Sequence, residues 1–231
     1  MKSVTKELAA FINYLREEKA YSQAFLAEKL DISRSSYIAV ENGTRELSLE
    51  EGQRLAQIFG MTLEELTKGA KPNYEKYKQM ILAYLRAGAD SRGKVPKTKL
   101  AKLLYLADFA WFYENLESMS GMPYRRIQYG PVPDLYFRAI DELFEDGKID
   151  IDRSNPEMQL ISQAGGTPNI TLDLIGDDQM RLIEKIAAKW RSKRTQEIVN
   201  FTHEQLPYQI SREDELIPYE LIIQEDPQNV Y

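Results

Sequence analysis

The sequence predicts a mainly α protein: an N-terminal bundle of five helices, then a mostly helical α+β domain with one small β-hairpin. Three observations carry this. Apolar residues recur at spacings of three and four along most of the 231 residues. Capping residues divide the first 68 into five short segments. Only the stretch from Lys148 to Ile161 reads as strands, through the period-two alternation Lys148-Ile149-Asp150-Ile151-Asp152, a turn at Asn155-Pro156 and a return over Met158–Ile161.

Leu8, Phe11, Ile12 and Leu15 define the first amphipathic helix. Ser22 is a good N-cap for a second, carrying Phe25, Leu26 and Leu30. Asp31-Ile32-Ser33 forms a tight turn, and Ser33 caps a third helix running to about Asn42, where Gly43 suits a left-handed termination. Ser48-Leu49-Glu50-Glu51 is a capping box for a fourth helix, which Gly60 stops, and Thr62-Leu63-Glu64-Glu65 opens a short fifth. The Gly, Pro and Asn of Lys68–Asn73 mark a linker, giving domains over residues 1–70 and 71–231.

Beyond the linker, residues 74–87 read as a helix. Residues 97–115 form the most apolar helix, with Leu100, Leu103, Leu104, Ala107 and Trp111 in a stripe that Tyr105, Phe109 and Phe112 widen. A helix apolar over so much of its circumference belongs at the centre of a domain. Pro131 and Pro133 forbid regular helix and suit the start of one over about 134–146, and further helices are expected near 176–192 and 195–206.

Composition narrows the chemistry. The chain has no cysteine and a single histidine, His203, so disulfides and cysteine-ligated zinc are excluded and a Ser-His-Asp triad would have to use His203. His203 is expected as a partly buried helix residue. Neither a cofactor nor a metal is expected. No apolar run approaches transmembrane length and Met1–Glu7 leads into charged helix, so a cytoplasmic location without membrane association is expected. The net charge of −6 has the wrong sign for a protein that coats nucleic acid, so DNA binding must come from a local surface. The excess acid either faces a basic partner or serves solubility.

The run Ser22–Leu30, then Ile32-Ser33-Arg34-Ser35-Ser36, then Glu41-Asn42-Gly43-Thr44-Arg45, resembles the Cro and phage-repressor (XRE-type) helix-turn-helix from about Ala20 to Leu66. The resemblance implies that the third helix lies in the major groove with its N-terminal residues at base edges. Arg34 is then the candidate for bidentate guanine readout, with Ser33, Ser35 and Ser36 reaching base or phosphate. It also implies backbone contacts from Gln23, Asn42 and Arg45. Ile38 and Ala39 depart from the pattern, standing where polar groups are usual; they are expected either to touch thymine methyls or to mark a module kept for dimerisation.

Residues 97–151, with the terminal Ile217-Pro218-Tyr219-Glu220-Leu221, resemble the SocA-like Panacea antitoxin domain. The matching pieces are Lys99–Asp108, Tyr129-Gly130-Pro131-Val132-Pro133 and that tail. The resemblance implies a domain that binds and neutralises a toxin encoded nearby, and the pairing with the first module is HigA-like. Fourteen tyrosines favour a partner surface, because tyrosine contributes contact area at low entropic cost. Tyr105, Arg125, Tyr129, Gly130, Pro131 and Tyr136 are the candidate toxin-binding residues.

The expected function is therefore a non-enzymatic antitoxin, a homodimer on operator DNA that represses its own operon and restrains a cognate toxin. Three alternatives stay open: a one-component regulator with a ligand-sensing second domain, an enzyme using carboxylates such as Asp108 and Glu142, and an adaptor that delivers the toxin to a protease.

Overall fold

Five helices build the first part of the chain: α1 (Lys2–Glu18), α2 (Gln23–Lys29), α3 (Arg34–Glu41), α4 (Leu49–Phe59) and α5 (Leu63–Lys68). The computed structural model describes residues 2–59, 61, 63–68, 72–155, 158–165 and 171–231. Contacts divide the chain into two units, Met1–Lys71 and Pro72–Tyr231. Linker residues 69–71 and the expected signals at Gly60, Thr62 and Pro156 lie outside the described residues.

Local chemistry accounts for the helix ends. Ser22 Oγ accepts from Phe25 N at 3.0 Å and Ser33 Oγ from Ser36 N at 3.1 Å, satisfying donors that a helix start leaves orphaned. Between these helices Asp31 takes φ 58°, which makes the turn tight, and Gly43 closes α3 with φ 66°. Ser48 and Glu51 form the reciprocal capping box, Glu51 N to Ser48 Oγ at 3.1 Å and Ser48 N to Glu51 Oε2 at 2.8 Å. Phe11, Ile12, Leu26, Tyr37, Leu55 and Phe59 fill the interior of this unit.

The second unit runs α6 (Tyr74–Ala87), β1 (Val95–Pro96), α7 (Lys97–Asn115), β2 (Tyr124–Arg125), β3 (Val132–Pro133), α8 (Tyr136–Glu145), β4 (Ile149–Asp152), β5 (Leu160–Gln163), α9 (Asp177–Trp190), α10 (Thr195–Glu204) and α11 (Leu206–Ile210), then 3-10 turns over Tyr219–Gln224 and Pro227–Asn229. Helix α7 is buried without a break from Lys99 to Ala110. Two of its three lysines, Lys99 and Lys102, enter that interior because each finds carbonyl acceptors. Lys99 Nζ donates to Arg191 O at 3.2 Å and Lys193 O at 2.7 Å, just past the end of α9; Lys102 Nζ donates to Pro131 O at 2.9 Å.

Asp108 is the third buried charge of α7. Its carboxylate accepts from Ser120 N and Ser120 Oγ, both at 2.5 Å, and from Tyr124 Oη at 2.8 Å. Burial raises its pKa, and the donated hydrogen bonds oppose that rise. The group ties the loop after α7 to the core. Glu142 is held by Lys78, at 3.3 Å, and Arg138, at 2.8 Å. Asp108 and Glu142 thus both have hydrogen-bond or ion-pair partners within the second unit.

The hairpin β4–β5 forms as expected, with Ile151 opposite Ile161. Two strand pairings had no sequence signal. Val95-Pro96 adds a third strand, so the sheet order is β1-β5-β4. Tyr124-Arg125 pairs with Val132-Pro133, and Arg125 also bridges Leu216. Pro133 therefore ends a two-residue strand instead of opening the next helix, which begins at Tyr136. A two-residue ladder tolerates prolines because it has few N–H groups to lose.

Candidate functional site

The first surface is built on α3. Ser33, Arg34 and Ser35 are exposed at its start and Ser36 is partly so. Ser33 Oγ lies 2.9 Å from Ser35 Oγ and 2.8 Å from Ser36 Oγ, so the three hydroxyls form one polar cluster around the cap. Ile38 and Ala39 are half-buried, and the Ala39 carbonyl accepts from Thr44 N at 2.9 Å and Arg45 N at 3.1 Å. The following loop is folded onto that carbonyl.

Two expected phosphate ligands are engaged within the unit. Gln23 Nε2 donates to Glu41 Oε2 at 2.9 Å, and Glu41 also accepts from Arg16 Nε at 2.6 Å. The Glu41 side chain is only 3% exposed. Burial raises its pKa, but the hydrogen bonds from Arg16 and Gln23 and the Arg16 charge, with the Tyr37 hydroxyl nearby, outweigh that and hold it below the ordinary value. Arg45 is gripped by Glu51, Nη1 to Oε2 at 3.1 Å and Nη2 to Oε1 at 2.7 Å. Asn42 is exposed. The first 71 residues hold 10 Lys and Arg against 11 Asp and Glu, so no general positive field exists and contact must be local.

The second surface is the turn between β2 and β3. Tyr129 stands out at 69% exposure, while Gly130 and Pro131 beneath it are buried. Gly130 has φ 91°, a backbone position that side chains rarely adopt. Arg125 forms a bidentate pair with Asp134, Nε to Oδ1 at 2.8 Å and Nη2 to Oδ2 at 2.7 Å, and also donates to the Asp214 carbonyl. Its neighbour Arg126 donates to Ser211 O at 2.6 Å and lies 4.8 Å from the centre of the Tyr208 ring. Half-buried His203 stacks flat on the same ring.

Two candidates for this surface are corrected. Tyr105 is fully buried, with its ring 4.3 Å from Phe109 and 5.5 Å from Tyr124, and belongs to the aromatic core. Tyr136 is 1% exposed and donates from its hydroxyl to Lys97 O at 2.6 Å. Helical spacing could not separate them from surface tyrosines, because α7 is apolar on every side and α8 starts two residues later than expected. Sequence reasoning also missed Lys102, His203 and Tyr208 as supports of the turn, since their roles depend on three helices meeting.

Residues 12–66 match the helix-turn-helix family model, and residues 100–208 match the model described as antitoxin SocA-like, Panacea domain. The chain joins a helix-turn-helix domain to a SocA-like Panacea domain. The helix-turn-helix part is 32% identical over 71 residues to the cryptic phage CTXphi transcriptional repressor RstR of Vibrio cholerae, covering 30% of this chain and 64% of that protein. It is 40% identical over 53 residues to the control protein C.MunI of a Mycoplasma species, covering 22% of this chain and 72% of that protein. No solved structure matches the chain. Helix α3 lies within the segment matching the helix-turn-helix model and the 124–133 turn within the segment matching the SocA-like model. Among the described residues no helix is long and apolar enough to cross a membrane.

Proposed function

We propose that this protein is the antitoxin and autorepressor of a bacterial toxin–antitoxin pair. Its helix-turn-helix reads operator DNA through Arg34 and the serine cluster of α3. Its Panacea domain neutralises a cognate toxin, encoded nearby, through the surface around Tyr129. The observation that carries this reading is the exposed Tyr129 set on a gripped, positive-φ turn inside the segment matching the antitoxin family. An aromatic side chain on a pre-ordered backbone is the kind of anchor that dominates protein interfaces. On DNA the chain acts as a homodimer, because two-fold operators are matched by two-fold proteins.

Among the described residues, one pocket of the second domain bears on the alternative of a ligand sensor. The open pocket at Trp111, Glu114, Asn115, Asp178, Arg181, Leu182 and Lys185 holds about 320 Å³ but is lined mainly by charged side chains. Ligand sites of that size are normally apolar with few polar groups.

The deciding experiment is co-expression of the chain with the product of each adjacent reading frame. Growth rescue by the wild type, lost with Tyr129→Ala and kept with Arg34→Ala, supports the division of labour. Absence of rescue with both adjacent products overturns the antitoxin reading.

A further inference from the structure

Three helices hold alternate carbonyls of the 127–131 turn. From α11, Tyr208 Oη donates to Ile127 O at 2.9 Å. From α10, the His203 ring lies against the Tyr129 carbonyl, which favours its charged form. From α7, Lys102 Nζ donates to Pro131 O at 2.9 Å. His203 and Tyr208 stack with centroids 4.4 Å apart and planes 3° from parallel, so the imidazole has little freedom to move away. A Cβ on Gly130 would come within 2.8 Å of His203 Nε2 and 2.9 Å of Lys102 Nζ. Both nitrogens therefore converge on one point under the turn.

His203 Nε2 is buried without a hydrogen-bond partner. A ring nitrogen with no acceptor beside it has nothing to hold a proton, so in the neutral ring Nε2 is the lone-pair nitrogen. A proton arriving there creates a second cation beside Lys102, itself 2% exposed. The groups that act on His203 are Lys102 from α7, Arg126 from the β2–β3 segment and the Tyr129 carbonyl, with the stacked Tyr208 phenol from α11. Among the described residues no carboxylate acts on it; Glu204, next in α10, is exposed. Burial, then Lys102 and Arg126, lower the His203 pKa, and burial lowers that of Lys102 to about 7.

We infer that protonation of His203 Nε2 releases the 127–131 turn, so that the surface presenting Tyr129 is ordered near neutral pH and loosened in acid. As regulation of partner binding, this rests on the reading of the turn as the partner-binding surface. The release itself is testable with the intact chain alone.

Amide hydrogen exchange of residues 124–133, corrected for intrinsic rate, would be followed from pH 5 to 8 together with the His203 ring resonances. In the wild type, protection of the turn should fall as His203 protonates, by about tenfold per pH unit between its gripped and released titration points. His203→Gln, which keeps a polar side chain there and never gains a charge, should lose the part of the fall that coincides with the imidazole titration and keep only the change set by Lys102. Lys102→Met should shift the His203 titration to higher pH. Constant protection of the turn across the His203 titration would overturn the inference, and so would a His203 that titrates at about 6.5 in the wild type. If Lys102→Met fails to fold, the wild type and His203→Gln still decide. A working release combined with failed toxin rescue would count against the partner-binding reading only.

Discussion

Arg45 and Glu51 face each other across the loop before α4 as a two-point ion pair, with both guanidinium nitrogens on the two carboxylate oxygens. The same carboxylate caps α4 by accepting from Ser48 N. One acidic side chain thus fixes a helix start and neutralises the arginine nearest the expected DNA backbone. Glu51→Gln keeps an acceptor for the cap but removes the charge. Operator affinity should rise, and the salt dependence should steepen by about 0.9 in log–log slope, the value for one more neutralised phosphate. Arg45→Ala in the Glu51→Gln background should remove that gain and return the slope to the wild-type value. Titrations of fluorescent operator at several salt concentrations check both.

Arg34 predicts a different signature. Its guanidinium is exposed at the first turn of α3, where a recognition helix meets base edges. Arg34→Ala should cost about 1–3 kcal/mol on the operator and relax preference at one base position, with little change on random DNA. Competition binding with a panel of single-base operator variants is the measurement. Equal loss on every sequence would reassign Arg34 to the phosphate backbone.

Acid should strike the first unit through Glu41. Its folded pKa is depressed, so its contribution is complete above the unfolded value and is lost as pH falls through the folded one. Protection of α1–α3 amides in the intact chain should decline below about pH 4.5, where the free carboxyl begins to protonate. In Glu41→Gln the decline should be weaker. Glu41→Ala should cost roughly 3–5 kcal/mol at neutral pH, because it leaves Arg16 without its buried partner. Gln23 should then turn more freely, and its side-chain resonances would report that.

Gly130→Ala is the sharpest probe of the Panacea domain. The new Cβ is strained by φ 91° and presses on both Lys102 and His203. Positive-φ strain costs about 1–3 kcal/mol. The denaturant midpoint of the domain should fall by a corresponding amount while far-ultraviolet dichroism stays unchanged. Chemical-shift changes should cluster at residues 102, 124–133 and 203. A variant with wild-type stability would show that the turn moves without cost.

The helices of both units were readable because their signals are local. Ser22, Ser33 and the Ser48–Glu51 box each act within four residues, and the alternation of Lys148–Asp152 specifies a strand by itself. What stayed hidden depends on residues far apart. Pro133 reads as the opening of a helix until its strand partner, Tyr124, is known, and Val95-Pro96 gives no signal until it is set beside Leu160 and Ile161. Tyr105 and Tyr129 look alike in the sequence, yet one is sealed in the core and the other is the most prominent aromatic of the turn. Gln23 and Arg45 were legible as polar residues at the right places, but their carboxylate partners, 18 and 6 residues away, were not.

The inward-facing lysines of α7 have an evolutionary consequence. Lys99 fastens the segment after α9 and Lys102 fastens the 127–131 turn, each by gripping main-chain carbonyls and no side chain of its target. Main-chain acceptors are present whatever residue occupies a position. Gln128 and Tyr129, both exposed, can therefore be exchanged without disturbing these anchors. The scaffold separates the chemistry of display from the chemistry of support. Randomising those two positions should yield a library of folded proteins with altered partner preference, a route by which one architecture could keep pace with changing opponents.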